Sequence, residues 1–164
     1  MKDNHEELLA KNPMLLARAF WHIARKYGEV ADGVAPTLPV FLVSAGLLLH
    51  RETVEKIYRM NFESRFLKVA VERPDLLAGL QGRIEANAIH ALRGLQLGVS
   101  SELLQRDGGE GFPSFRAIGS SDLPWPLRDP ESLTNPIMSA AKRLGSWFGV
   151  EPLDSVQRQL IVEF

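Results

Sequence analysis

One stretch of this chain is apolar on every side, and the flanking segments show the periods of amphipathic helices. Residues Leu38 to Leu49 contain no charged side chain, and His50 closes the run. A run of this length is too short to span a bilayer and is typical of a buried helix. Because its apolarity covers every face, neighbouring elements must surround it. The sequence therefore predicts a central helix enclosed by other helices.

Capping residues and helical spacing predict six further helices, which start near Asn12-Pro13, Thr53, Ser64, Asp75, Asn135-Pro136 and Asp154. The three longer ones are expected to end at glycines, namely Gly28, Gly98 and Gly149. In the helix after Ser64, we expect Phe66, Leu67 and either Ala70 or Val71 to face the core.

Between the last two long helices the pattern changes to short strands and turns. Residues 99–105 and 112–118 are predicted as the strands of a β-hairpin, joined by a glycine-rich turn. Residues 119–131 contain three prolines around Trp125 and are predicted as an irregular loop. We interpret residues 1–164 as a single, mainly α domain with this one hairpin, in which residues 1–11 fray.

Composition limits the classes of partner. With 19 basic and 20 acidic residues the net charge is −1, so no global field favours nucleic acid or an anionic membrane. The chain has no cysteine, which excludes disulfides and thiolate metal sites and suits a reducing compartment. Its N-terminus lacks the apolar core of a signal peptide. We therefore expect a soluble, cytoplasmic protein.

Residues that could carry chemistry are sparse. The four histidines do not pair with a carboxylate at the spacing of a zinc motif, and nucleophile and phosphate-binding motifs are missing. His50 ends the apolar helix, where the favoured interpretation is a structural imidazole bonded to Thr53 or to a last-turn carbonyl. A catalytic His50 is the alternative. We expect no catalytic residue, no cofactor and no metal.

Two features could serve binding. The large aromatic side chains Trp21, Trp125, Trp147 and Phe148 are of the type enriched at interface hot spots, although core packing also explains them. The helix from Asp75, followed by the hairpin, also matches the outline of a winged-helix module, in which Arg83, Arg93 and Arg106 would contact DNA. The charges around these arginines are mixed, which favours the first feature over the second.

The order of several short motifs resembles a known family. Asn12-Pro13 precedes Phe20-Trp21, and Leu38-Pro39 leads to Leu47-Leu48-Leu49-His50-Arg51-Glu52-Thr53. Arg73-Pro74-Asp75-Leu76 and then Ala140-Ala141-Lys142-Arg143-Leu144-Gly145-Ser146-Trp147-Phe148 follow. In this order, from about Asn12 to the C-terminus, the chain is similar to the middle component of three-component ABC-ATPase systems.

The resemblance implies a non-enzymatic subunit that works between two partners. In bacterial anti-phage systems of the Lamassu kind, such components accompany an SMC-like or Rad50-like ABC ATPase and an effector protein such as a nuclease. The implied role is an adaptor that binds the ATPase and couples it to the effector. DNA would be reached through the complex, and no membrane is involved. The winged-helix DNA-binding or regulatory protein is the alternative.

Overall fold

The computed structural model describes residues 12–119, 134–151, 155, 157 and 158, although the side chains at 134 and 135 are not described. In chain order the elements of the described part are α1 (Pro13–Val30), α2 (Leu38–Leu48), α3 (Arg51–Tyr58), α4 (Phe66–Glu72), α5 (Pro74–Leu77), α6 (Leu80–Ser100), β1 (Leu104–Asp107), β2 (Ser114–Ala117) and α7 (Thr134–Val150). The predicted helical fold with one hairpin is confirmed. Residues 1–11, Trp125 and nearly all of the predicted loop lie outside the described residues.

The first helix begins as its sequence predicts. The side-chain oxygen of Asn12 accepts a hydrogen bond from the Leu15 N–H at 3.2 Å, and Pro13 occupies the first helical turn. Such a cap satisfies a backbone donor that the helix itself leaves without a partner. The helix runs to Val30, two residues beyond the predicted stop at Gly28.

Helices α1 and α7 make the most extensive contact in the fold, and two glycines of α7 make it possible. A Cβ atom at Gly145 would lie 2.9 Å from the Cα of Ile23. At Gly149 it would lie 2.9 Å from the carbonyl oxygen of Tyr27. Atoms of real side chains do not approach backbone this closely, so only glycine allows the two backbones to touch.

Helix α2 is the buried helix that the apolar run predicts. Phe41, Val43, Leu47 and Leu48 are each 0% exposed, and α2 packs mainly against α6. The Phe41 ring makes edge contacts with Phe20 of α1 and Phe115 of β2, at centroid distances of 5.2 and 5.5 Å. No helix in the described ranges is long and apolar enough to cross a membrane.

The hairpin is shorter than predicted and is fixed to the body by the segment before α2. Strands β1 and β2 pair antiparallel, with Leu104 opposite Ala117 and Arg106 opposite Phe115. On its other edge β2 is hydrogen-bonded to residues 36–38. The Phe115 N–H donates to the Pro36 carbonyl, and the Leu38 N–H donates to the Pro113 carbonyl. Residues 99 and 100, predicted as strand, belong to α6.

Three further predictions about local structure are wrong. The long helix does not run from Asp75, because Gly79 adopts φ +76° and separates α5 from α6. Ser64 does not cap α4, which starts at Phe66 with Arg65 in the cap position. Thr53 does not cap α3 either, because it lies within that helix.

We expect Gly145→Ala to reduce the free energy of unfolding by about 1 to 3 kcal/mol, because the new methyl group would meet the Ile23 backbone, which cannot move aside as a side chain could. Urea unfolding followed by circular dichroism would measure the change. Gly28→Ala is the control: a Cβ there meets nothing within 4 Å, and the better helix former should add about 0.5 to 1 kcal/mol. A Gly145→Ala variant as stable as wild type would contradict the close-contact interpretation.

Candidate partner-binding surface

The aromatic side chains proposed as partner contacts lie in the core. Trp21 is 2% exposed, Trp147 1% and Phe148 2%, whereas Trp125 lies outside the described residues. Trp147 and Phe148 both pack on the ring of Phe66, at centroid distances of 5.3 and 4.7 Å. In this structure these rings stabilise the fold and present no surface to a partner, so a surface must be sought elsewhere.

Both buried indoles also hold distant segments of the chain together. Trp21 Nε1 donates to the carbonyl oxygen of Ile118 at 2.7 Å, which ties the end of the hairpin to α1. Trp147 Nε1 donates to the carbonyl oxygen of Phe62 at 3.0 Å, which ties the loop before α4 to α7. A buried indole N–H requires such an acceptor. The sequence offered no way to identify these acceptors, because they are backbone carbonyls 97 and 85 residues away.

The three arginines of the DNA-binding alternative have different surroundings. The Arg83 guanidinium donates to the backbone carbonyls of Gly46, Ala78 and Leu76, so it joins α2 to the turn between α5 and α6. Arg93 and Arg106 are exposed. Arg106 shares a face of the hairpin with Leu104 and Phe115, the face directed at the body of the protein. Arg83 therefore has a structural role that competes with any contact to DNA.

A cleft between α3 and α4 is a concave feature of the described surface. Its lining is mostly charged and consists of Glu52, Glu55, Lys56, Arg59, Met60, Asn61, Lys68 and Arg73. Lys56 and Lys68 both pair with Glu72, and Arg73 pairs with Asp75 through two hydrogen bonds of 3.0 and 2.8 Å. The hydrogen bond from Lys56 lowers the pKa of the Glu72 carboxyl, and that from Arg73 lowers the pKa of Asp75.

Beside this cleft, helix α4 exposes two apolar side chains. Leu67 is 59% exposed, so the prediction that it faces the core is wrong. Val71, one turn later, is 73% exposed, whereas its alternative Ala70 is half-buried. Phe66 and Val69 fill the core instead. Both faces of this short helix carry apolar residues at helical spacing, so periodicity alone could not identify the inner one. Leu67 and Val71 are therefore an exposed apolar pair, and they are the candidate contact for a protein partner.

Phe62, in the loop before α4, is also exposed, at 43%. The guanidinium of Arg143 lies 4.6 Å from the centroid of its ring, and the ammonium of Lys26 lies 5.8 Å from it. Cations at these distances are attracted by the ring's negative face. Arg143 is itself fixed by hydrogen bonds to the carbonyls of Met60 and Ser139. The loop thus presents an aromatic ring in a defined position.

The remaining candidates for chemistry have structural surroundings. His50 Nδ1 lies 2.7 Å from the Thr53 hydroxyl oxygen, which confirms the favoured interpretation of that imidazole. In the part of the chain that the structure describes, no three His, Asp or Glu side chains are grouped so that they could hold a metal ion.

His22 is the one histidine of the described chain that is fully in the core, at 4% exposed. Its Nε2 has no hydrogen-bond partner among the described residues. Burial lowers its pKa from 6.5 to about 3, and the positive charges of Lys142, Arg25, Arg18 and Lys26 act in the same direction. The imidazole is therefore neutral at physiological pH, and several basic side chains of α1 and α7 lie around it.

Comparison with known proteins gives one match. Over residues 1–164 the chain matches the family described as ABC-three component (ABC-3C) system Middle Component 3. No curated protein and no solved structure matches it significantly.

The burial of His22 makes stability depend on pH. The folded-state pKa is depressed, so the unfolded chain binds a proton that the folded chain does not, and stability falls as pH drops below 6.5. With a pKa of about 3 in the folded state, His22 should lower the free energy of unfolding by about 2 kcal/mol when the pH falls from 7.5 to 5.0. We expect His22→Gln to lose that part of the pH dependence.

The measurement is urea unfolding at pH 7.5 and 5.0 for wild type, His22→Gln and His90→Gln. His90 lies on α6 and is partly exposed, so His90→Gln is the control for replacing a histidine outside the core. A His22→Gln variant that loses as much stability on acidification as wild type would rule out His22 as the responsible group.

Proposed function

The chain belongs to the Middle Component 3 family of ABC three-component systems, and we propose that it is the non-catalytic adaptor of such a system. It binds the ABC ATPase and couples it to the effector. The sequence resemblance gives the classes of these partners: an SMC-like or Rad50-like ATPase and a nuclease-type effector, in anti-phage defence. A middle component works with the other components of its system, so its surface has to contact at least one of them.

The observation that best supports this proposal is the exposed pair Leu67 and Val71 on α4, next to the cleft between α3 and α4. Two apolar side chains that are 59% and 73% exposed lose contact with water when a partner covers them. Covering apolar surface of this kind is the principal source of association free energy. The core beneath them is complete without them, because Phe66 and Val69 already fill it.

The charges of the cleft fit a protein partner better than nucleic acid. Four basic and two acidic side chains line it, and three of the four basic ones are held in ion pairs, Lys56 and Lys68 with Glu72 and Arg73 with Asp75. Exposed ion pairs add little to stability, but they determine which partner surface is complementary. A duplex would instead require a basic stripe, with affinity that falls steeply as salt rises. We therefore propose an ATPase-derived protein surface as the occupant.

The DNA-binding alternative has weaker support. The hairpin does follow α6 directly, in the order that a winged helix needs. Arg83, however, is engaged by three backbone carbonyls, and Arg106 lies on the face of the hairpin directed at the body. Arg93 on α6 and Arg106 on the hairpin are the exposed arginines of the three.

We expect the double variant Leu67→Asp, Val71→Asp to bind the ATPase component of its own system about 30-fold or more weakly, as is common when apolar hot-spot side chains are replaced. The measurement is size-exclusion co-elution followed by titration calorimetry. Because both side chains are exposed, the thermal unfolding temperature of the variant should remain close to that of wild type.

The matched control is Val34→Asp, Phe112→Asp, which alters two side chains that are 59% and 53% exposed and belong to the region of the hairpin. It should bind like wild type. Coupling is tested by mixing ATPase and effector with and without this chain: the adaptor role requires that they co-elute only in its presence. Co-elution without it, or equal binding by test and control variants, would contradict the proposal.

A further inference from the structure

The outer face of α6 is a second exposed surface, distinct from the cleft and from α4. Its exposed residues between the first and last turns are Gly82, Glu85, Ala86, Ile89, Leu92, Arg93 and Gln96. The two large apolar members, Ile89 and Leu92, are 53% and 47% exposed. The opposite face of the helix packs against α1 and α2 through buried residues such as Ile84 and Leu95.

This face is symmetric about Ile89. Each exposed residue before Ile89 has an exposed counterpart at the same sequence distance after it. The pairs are Ala86 and Leu92 at three residues from Ile89, Glu85 and Arg93 at four residues, and Gly82 and Gln96 at seven residues. In an antiparallel pair of identical helices related by a two-fold axis at Ile89, each residue therefore meets its counterpart on the other copy.

The charges on this face are complementary under the same symmetry. Glu85 lies one turn before Ile89 and Arg93 one turn after it, so an antiparallel copy would place Glu85 of each chain opposite Arg93 of the other. Within the described part of its own chain, Arg93 makes no ion pair, and Glu85 accepts a hydrogen bond from Gln81 at 3.0 Å. Two ion pairs would thus flank a central contact between the two Ile89 side chains.

We propose that this face of α6 binds a second copy of the chain. Glu85, Ile89 and Arg93 lie in one row at a spacing of four residues, so two such rows face each other across the axis. Symmetric, self-complementary patches are the rule for two-fold interfaces. The cleft beside α4 has no such symmetry, so it suits a different partner. This proposal is independent of the proposed function.

Charge reversal tests the pairing directly. Glu85→Arg places arginine opposite Arg93 twice, and Arg93→Glu places glutamate opposite Glu85 twice. Each variant alone should raise the dissociation constant of the dimer about tenfold or more, since like charges are brought together at the contact. An equimolar mixture of the two variants should recover dimerisation, because both pairs then have opposite charges. The double variant Glu85→Arg, Arg93→Glu should recover it too.

The measurement is sedimentation equilibrium of the full chain at low salt. A single helix pair buries less than about 1,200 Å2, the range of weak complexes, so protein concentrations should extend to about 300 µM. Glu110→Arg and Arg106→Glu make the same changes of net charge at exposed positions of the hairpin region and should dimerise like wild type. A monomeric wild type over this range, or a mixture that fails to recover, would overturn the proposal.

The absence of cysteine from the sequence allows a second test that does not depend on affinity. Ile89→Cys places two thiols at the axis, where helices 8–10 Å apart bring Cα atoms to about 4–5 Å, within reach of a disulfide. Gln96→Cys on the same face places them about 20 Å apart, since each lies seven residues from the axis. Mild oxidation should therefore cross-link the first variant and leave the second uncrosslinked. Equal cross-linking of both, or of neither, would exclude the pairing.

Discussion

The close contact between α1 and α7 is the constraint on which the other features of the fold depend. Gly145 and Gly149 lie against the backbone of Ile23 and Tyr27. A larger residue at either position would separate two elements that are more than a hundred residues apart in the sequence. Interiors packed at crystalline density transmit such a displacement to their neighbours and do not absorb it.

Both buried tryptophans rely on that contact. Trp21 and Trp147 lie on these two helices, and each reaches a backbone carbonyl of a loop that neither helix contains. Because an indole N–H buried without an acceptor is costly, each loop is held where its carbonyl can accept. The hydrogen bond from Trp147 therefore fixes the position of the loop before α4. This loop in turn sets the positions of Phe62, Leu67 and Val71. The candidate partner surface thus inherits its geometry from the core.

The individual elements show which parts of the fold could be predicted from the sequence. The buried helix α2, the Asn12 cap and the hairpin could be predicted, because composition, capping and turn signals are local. The break at Gly79 could not, since a glycine within a helical pattern is compatible with both an interruption and a continuous helix. The inner face of α4 was also undetermined, because Leu67 and Val71 have the same spacing and polarity as residues that are buried. Long-range contacts decide such cases, and the acceptors of Trp21 and Trp147, like the Gly46 carbonyl that Arg83 reaches, lie far along the chain.

The same reasoning explains why family membership and partner surface are separate questions in this protein. Two of the motifs that carry the family resemblance, Phe20-Trp21 and the run from Ala140 to Phe148, lie at the contact of α1 with α7 or within the core, whereas Asn12-Pro13 is exposed at the start of α1. The buried motif residues are constrained by packing and present no surface for recognition, whereas the motif residues Glu52 and Arg73 line the cleft between α3 and α4. The surfaces that we propose for recognition consist of exposed residues, in that cleft and on the outer faces of α4 and α6. A shared core can accordingly support different partner surfaces, and the symmetry of each face then indicates whether a second copy or a different protein is the better fit.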